Sequence, residues 1–239
     1  MPAERRRWSA APWLVAVAAA GVAGGAAVAA RPASVDPVVV PPPEPVPVLL
    51  VPGWGDREEH LAELRARFTA AAWDDEHVLA LSFEDPVGSN RDHAREIAEA
   101  VLRLKARTGA EEVDVVAHSM GGLATRYYLL NGGAVHVRKA VFLATPHRGT
   151  ISAHFAWGEG AREMEPQSPF LLGLLRAQPI PDGVRAITIR TPLDLHVVPP
   201  ESATLPGVPG LEVCCPTHAG LLEDEATFEL IERFLADPQ

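Results

Sequence analysis

The chain has 239 residues, with 21 Lys and Arg against 31 Asp and Glu and a formal charge of −10. That balance argues against a nucleic-acid partner, which requires concentrated basic surface. No group of His, Cys, Asp and Glu has metal-ligand spacing, so neither a metal nor another cofactor is expected.

The first 31 residues differ from the rest. Arg5, Arg6 and Arg7 form a basic start, and an apolar run of mostly Ala, Val and Gly extends from Trp13 to Ala30. Basic, apolar, then small residues is the plan of a secretory signal. The run is also near the lower limit for crossing a bilayer, roughly 17–25 residues. Two readings stand: a cleaved signal, or an anchor that tethers the protein through residues 13–30. Either places the remainder outside the cytoplasm, secreted or membrane-anchored. Residues 32–45 are rich in Pro and Val and include Pro41-Pro42-Pro43. Such a segment is stiff and extended, and reads as a linker. Residues 46–239 then form one domain with a single core. Beyond Arg31 the balance is 17 basic against 30 acidic residues, a charge of −13 that favours solubility. A monomer is expected.

In the domain, short apolar runs alternate with amphipathic ones. Val48 to Val51 is a continuous apolar run ended by Pro52-Gly53, the pattern of a buried strand. A helix over His60 to Ala72 and a strand over Val78 to Leu81 follow. Asn90 to Thr108 is a long amphipathic helix with Ile97, Val101 and Leu104 on one face, and Gly109 stops it. Val113 to Ala117 is a strand, Met120 to Asn131 a helix, and Val137 to Ala144 a strand. Pro146 to Gly183 is a long irregular stretch. Its apolar part, Pro169 to Leu175, reads as a packed helix or as part of a mobile cover. Val184 to Thr191 and Leu211 to Cys215 are the last strands, and a helix from about Glu225 to Leu235 closes the chain. The alternation predicts an α/β fold with a mostly parallel central sheet, helices on both faces and a minimal lid. Cys214 and Cys215 are adjacent; two buried thiols at a strand end are expected, with a bond between neighbours as the alternative.

Ala117-His118-Ser119-Met120-Gly121-Gly122 lies between a predicted strand and a predicted helix. A serine at such a sharp turn stands above the sheet edge, and small neighbours let the two backbones approach. A serine hydroxyl needs a base, and a base needs an orienting acid. In this architecture they follow the serine in the order acid, then histidine. Asp194, just after the fifth strand, and His218, after the last, satisfy the order and lie at strand C-terminal ends, where open α/β sheets build their sites. His196 is the alternative base, and Glu201 or Asp224 the alternative acid. His60, His77, His93 and His136 are expected at the surface. His118 is expected to point away from the site, whereas His147 and His154 are placed to line a pocket. Acyl transfer also needs backbone donors for the oxyanion. The amides of Met120 and of Trp54, in the Gly53-Trp54-Gly55 turn, are the candidates.

With those motifs in place, the chain resembles the lipases and esterases of the α/β-hydrolase superfamily, specifically small secreted bacterial triacylglycerol lipase-like proteins. The resemblance spans roughly residues 46–236. It is carried by Val51 to Gly55, Val113 to Tyr128, Leu143 to Thr150, Met164 to Leu175, Asp194 to Gly207 and His218 to Leu222. It implies Ser119, Asp194 and His218 as a triad, with Trp54 and Met120 at the oxyanion hole. Pro52 departs from the histidine common in relatives, and Ala117 from the first glycine of the serine motif. The expected substrate is a carboxylic ester or lipid, as acylglycerol for a lipase. A short-chain carboxylesterase or thioesterase is the alternative, and a non-catalytic surface-anchored binding protein is a remote one.

Overall fold

The computed structural model describes residues 45–71 and 73–237. The predicted signal or anchor, and the predicted linker up to residue 44, lie outside the described residues. Among the described residues no helix is long and apolar enough to cross a membrane.

Among the described residues six parallel strands run in the order β2-β1-β3-β4-β5-β6. They are β1 (Val48–Val51), β2 (Val78–Ala80), β3 (Val113–His118), β4 (Val137–Leu143), β5 (Arg185–Arg190) and β6 (Gly210–Glu212). The chain leaves β1 outward to β2, crosses back to β3, and then continues in the opposite direction. The order therefore reverses at β1 and β3, which is where such sheets open a crevice beyond their C-terminal ends.

Side-chain parity on the strands builds two cores. Val48, Leu50, Val116, Val141 and Leu143 pack on one face with Leu64 and Phe68 of α1 (Ala62–Ala71) and Phe228 and Ile231 of the C-terminal helix. Leu49, Val51, Val115, Ala117 and Phe142 pack on the other with Ile97, Val101 and Leu104 of α2 (Asn90–Thr108) and Ala124 of α3 (Met120–Leu130). Strands buried on both faces have no polar side to show, hence their continuous apolar runs. The predicted bounds of α2 are those observed. Ser89 caps it by accepting from the Arg91 amide at 3.1 Å, and Gly109 ends it at φ 74°. The predicted helix from His60 is instead a 3-10 turn, Glu58–Leu61, followed by α1.

The stretch after β4 holds more structure than its sequence suggests. A 3-10 turn (Ile151–Phe155) leads to α4 (Gly158–Met164) and α5 (Pro169–Arg176). α5 is a packed helix: Phe170, Leu171 and Leu174 are buried against Met120, Leu123 and Met164. α4 is clamped by one buried carboxylate. Glu163 accepts from the Asn90 amide at 2.6 Å, Asn90 Nδ2 at 2.9 Å, Ser89 Oγ at 2.9 Å and Arg91 Nη1 at 2.9 Å. It thereby neutralises the positive end of α2 and fixes the cover to it.

At the far edge the expected strand Leu211 to Cys215 is corrected to Gly210–Glu212. β6 has three residues, all exposed, paired only with β5. Cys214 and Cys215 are exposed and joined to each other as a disulfide, in place of the expected buried thiols. Their apolar character suggested burial, but an edge strand has a neighbour on one side only. α6 (Glu225–Ala236) closes the fold, capped by Asp224 accepting from the Thr227 amide at 2.8 Å.

Candidate active site

Ser119 joins β3 to α3 at φ 52° and ψ −128°. That region costs a non-glycine residue roughly 1–3 kcal/mol and persists only where neighbours enforce it. They do so here. The Ser119 amide donates to the Leu143 carbonyl at 2.8 Å. A Cβ on Gly121 would lie 2.2 Å from the Pro52 carbonyl oxygen, so the first turn of α3 is pressed against the loop after β1. Ala117, two residues before Ser119, is fully buried.

The structure brings Ser119, His218 and Asp194 into one chain of contacts. His218 Nε2 is 2.9 Å from Ser119 Oγ, and His218 Nδ1 is 2.8 Å from Asp194 Oδ2. An ionised carboxylate only accepts, so Nδ1–H donates to it and Nε2 is left to accept from the Ser119 hydroxyl. The second Asp194 oxygen accepts from the amides of His196 at 2.8 Å and Val197 at 2.7 Å. All three side chains are buried. Burial pushes the Asp194 carboxyl up, but the His218 hydrogen bond and charge and the two amides outweigh it and hold it below the ordinary carboxylate range. Burial likewise disfavours charge on His218, and Asp194 offsets this only in part, so its imidazole titrates below the ordinary value.

Two threonines tie the loops that carry these groups. Thr191 Oγ1 donates to the Pro216 carbonyl at 2.6 Å, joining the Asp194 loop to the His218 loop. Thr150 Oγ1 donates to the His196 carbonyl at 2.8 Å and accepts from the Val198 amide at 2.8 Å.

Ser119 and His218 border a cavity of about 250 Å³, shared with Trp54, Asp56, His118, Met164 and His196. The Trp54 ring meets Trp157 edge-on at 4.7 Å and donates its Nε1–H to the Trp157 carbonyl at 3.0 Å, which makes it a cavity wall. Met120 is buried and opens α3, where the first amides have no intrahelical acceptor. The other histidines and acids separate from the site or flank it. The exposed His196 ring stacks on His218 at 4.9 Å, with no hydrogen bond to Ser119. Glu201 lies 3.9 Å from Arg190, and Asp224 caps α6. His154 is exposed.

Four histidine expectations are corrected. His154, expected to line a pocket, does not border the cavity. His93 is buried, bonded through Nε2 to the Asp85 carbonyl at 2.7 Å and stacked on Phe83. His147 is fully buried against Phe142, outside the cavity, where burial and the nearby Arg126 and Arg148 keep it neutral far below the ordinary imidazole value. His118 does not point away: it lies beside His218, 4.6 Å ring to ring. Parity could have revealed this, since His118 shares the face of Val116, and that face carries Leu221 and Leu222 of the His218 loop. Among the described residues no cluster could hold a metal ion.

Residues 47–185 match the family described as alpha/beta hydrolase fold. Among solved structures, the mature Bacillus licheniformis lipase BlEst2 superposes with a TM-score of 0.69 at 16% identity, over 84% of this chain and 96% of that one. Aspergillus fumigatus lipase B gives 0.68 at 20% identity, over 81% of this chain and 53% of that one. The match over more than half of the chain, on a parallel sheet with a serine at the turn after β3, means that this protein belongs to the alpha/beta hydrolase fold family.

Proposed function

We propose that the protein hydrolyses carboxylic esters through Ser119, His218 and Asp194. The observation that carries this reading is the unbroken contact chain from Ser119 Oγ through the His218 ring to Asp194, at 2.9 and 2.8 Å. In the reaction, Ser119 Oγ attacks the ester carbonyl carbon while its proton passes to His218 Nε2. The carbonyl electron pair moves onto oxygen, towards the amides of Met120 and Trp54. Collapse breaks the bond to the alkoxy group, which leaves as the alcohol with the His218 proton. Water then loses a proton to His218 as it attacks the acyl-enzyme carbonyl, and the bond to Ser119 Oγ breaks to release the acid while His218 returns the proton to Oγ. Asp194 keeps Nδ1 protonated and stabilises the transient imidazolium.

Apolar residues support a lipophilic acyl group. Phe155 is 88% exposed, Trp157 68% and Leu195 82%, and these residues adjoin the cavity-lining Ala156 and His196 in sequence. Single exposed apolar residues are ordinary, but several on two loops joined by the Ile151 amide and the Val198 carbonyl form a patch. The names of the two superposed lipases agree with that chemistry. Cavity size favours a second reading, a short-chain esterase: about 250 Å³ is below the usual range of roughly 300–1,000 Å³ for ligand pockets. In either case the domain acts outside the cytoplasm, on the support of the basic, apolar and small-residue start. N-terminal sequencing of the mature protein tests that placement, and an intact residue 1–31 segment supports the tether.

Rates on nitrophenyl esters of increasing acyl length, for wild type and Ser119→Ala, test the activity. Turnover lost in Ser119→Ala is expected. A maximum at long acyl chains supports the lipase and one at short chains the esterase. A wild type inert to every ester and to serine-directed organophosphates refutes the reading.

A further inference from the structure

His118 is 2% exposed, yet neither the fold nor the proposed reaction has given it a role. Its Nε2 lies 3.2 Å from the main-chain carbonyl oxygen of His218. A carbonyl only accepts, so this nitrogen carries the proton and donates. Its Nδ1 is buried, without a hydrogen-bond partner, and faces Asp56 Oδ2 at 3.7 Å, a contact that becomes an ion pair when the ring takes up a second proton. Asp56 comes from the loop after β1, so three segments meet in one line: the β1 loop, the end of β3 and the His218 loop. Gly53 leaves room for them. A Cβ there would stand 2.9 Å from Asp56 Oδ2, 3.0 Å from Ser119 Cβ and 3.2 Å from His118 Nδ1.

We propose that His118 is a positioning residue for the reaction, spanning from Asp56 to the His218 carbonyl and so holding the base in line with Ser119. The proposal rests on the ester-hydrolase reading for its rate effects. His218 must stay within hydrogen-bond reach of both Ser119 and Asp194 as it gains and loses a proton. The Nδ1–Asp194 bond fixes one end of its ring, but the ring still hinges on its own backbone. Nothing regular holds that backbone from within, because His218 only precedes a 3-10 turn, Ala219–Leu222. The donor from His118 pins it. Placing a donor on the carbonyl, and not on the ring, leaves Nε2 free for proton transfer.

The pair also bears on the charge of His218. The charged and titratable groups facing it are Asp194 and His196 from the loop after β5, His118 at the end of β3, and Asp56, itself 3.8 Å from His60. A charge on His118 opposes one on His218, whereas Asp194 favours it. Positioning and charge are therefore separable. Gln places an amide N–H near the reach of Nε2, Asn near that of Nδ1, and Phe supplies neither.

The experiment compares wild type, H118Q, H118N, H118F and D56N in two measurements. The first is kcat and KM on a nitrophenyl ester. The second, free of substrate, is the NMR titration of the His218 ring. H118F is expected to lose kcat by at least about tenfold, with KM within about twofold, as for a misplaced catalytic group. H118Q should recover most of kcat and H118N should not. The His218 midpoint should rise in H118F and H118Q and fall in D56N, which removes an anion beside the ring. Wild-type kcat in H118F, or equal kcat in H118Q and H118N, overturns the proposal, and the latter comparison stands even if H118F does not fold. If the wild type turns over no ester, the hydrolase reading fails by itself. The His218 titration then decides, because an unmoved midpoint in every variant refutes the pair.

Discussion

Ser119 stands near the middle of the sheet, between strands buried on both faces, whereas Asp194 and His218 stand on loops after the outer strands β5 and β6. The serine is held by packing: β1, β3 and β4 are buried along nearly their whole length, and α3 meets the β1 loop with no space for a methyl group at Gly121. Its partners are held by polar clips. Thr191 joins their two loops, Thr150 anchors the His196 backbone, and His118 reaches the His218 carbonyl. The two strategies carry different risks. Close packing cannot yield, so any added atom is costly. Clips can be lost singly, and each loss should cost rate before it costs the fold.

The largest expected effect breaks the polar side at its catalytic end. Asp194→Asn keeps the shape but removes the acceptor for Nδ1–H, and kcat should fall about 10⁴-fold, or roughly 5.5 kcal/mol. Stopped assays on a nitrophenyl ester, with circular dichroism to verify folding, measure this; a loss under tenfold would leave Asp194 without its assigned role. On the packed side, Gly121→Ala drives a methyl group to 2.2 Å from a backbone oxygen. Overpacking of that kind costs about 3 kcal/mol where only backbone can move. Urea denaturation should show that loss together with inactivity, and unchanged stability would mean that the β1 loop is softer than argued.

Thr191→Val tests one clip. It leaves the Pro216 carbonyl without its donor, for about 1–3 kcal/mol, and should lower kcat severalfold with a smaller change in KM. If KM rises and kcat holds, Thr191 shapes the binding of substrate and not the position of the base.

The pH dependences are smaller. In the proposed reaction the base form of His218 is the active one, and its folded-state value is lowered, so kcat/KM should rise with a midpoint below the ordinary histidine value of about 6.5. A midpoint above that value would contradict burial as the dominant influence. His147 affects stability instead. Its folded-state value is depressed, so the unfolded chain binds the proton first. Its stabilising contribution is present above about pH 6.5 and is lost as pH falls from there towards the folded-state value. His147→Phe should flatten that decline in thermal-melt series from pH 7 to 5.

Much of this protein was legible in one dimension. Continuous apolar runs marked the buried strands, periodicity and Gly109 marked α2, and the order Ser119, Asp194, His218 along alternating elements picked out three residues whose side chains the fold brings into contact. Those features depend on neighbours in sequence: a turn that admits only small residues, a glycine that ends a helix, a loop that follows a strand. What tertiary structure alone decided concerns contacts across the chain. The seven residues of α4 include two glycines and have little helical signal, and are fixed by Glu163 reaching the start of α2. Cys214 and Cys215 look like core residues but lie at an edge that, among the described residues, no further strand covers. His118 differs from its buried apolar neighbours only because the His218 loop, 100 residues later, folds across its face. A polar side chain at a strand end has no local cue to its partner, and only the crossing of distant loops supplies one.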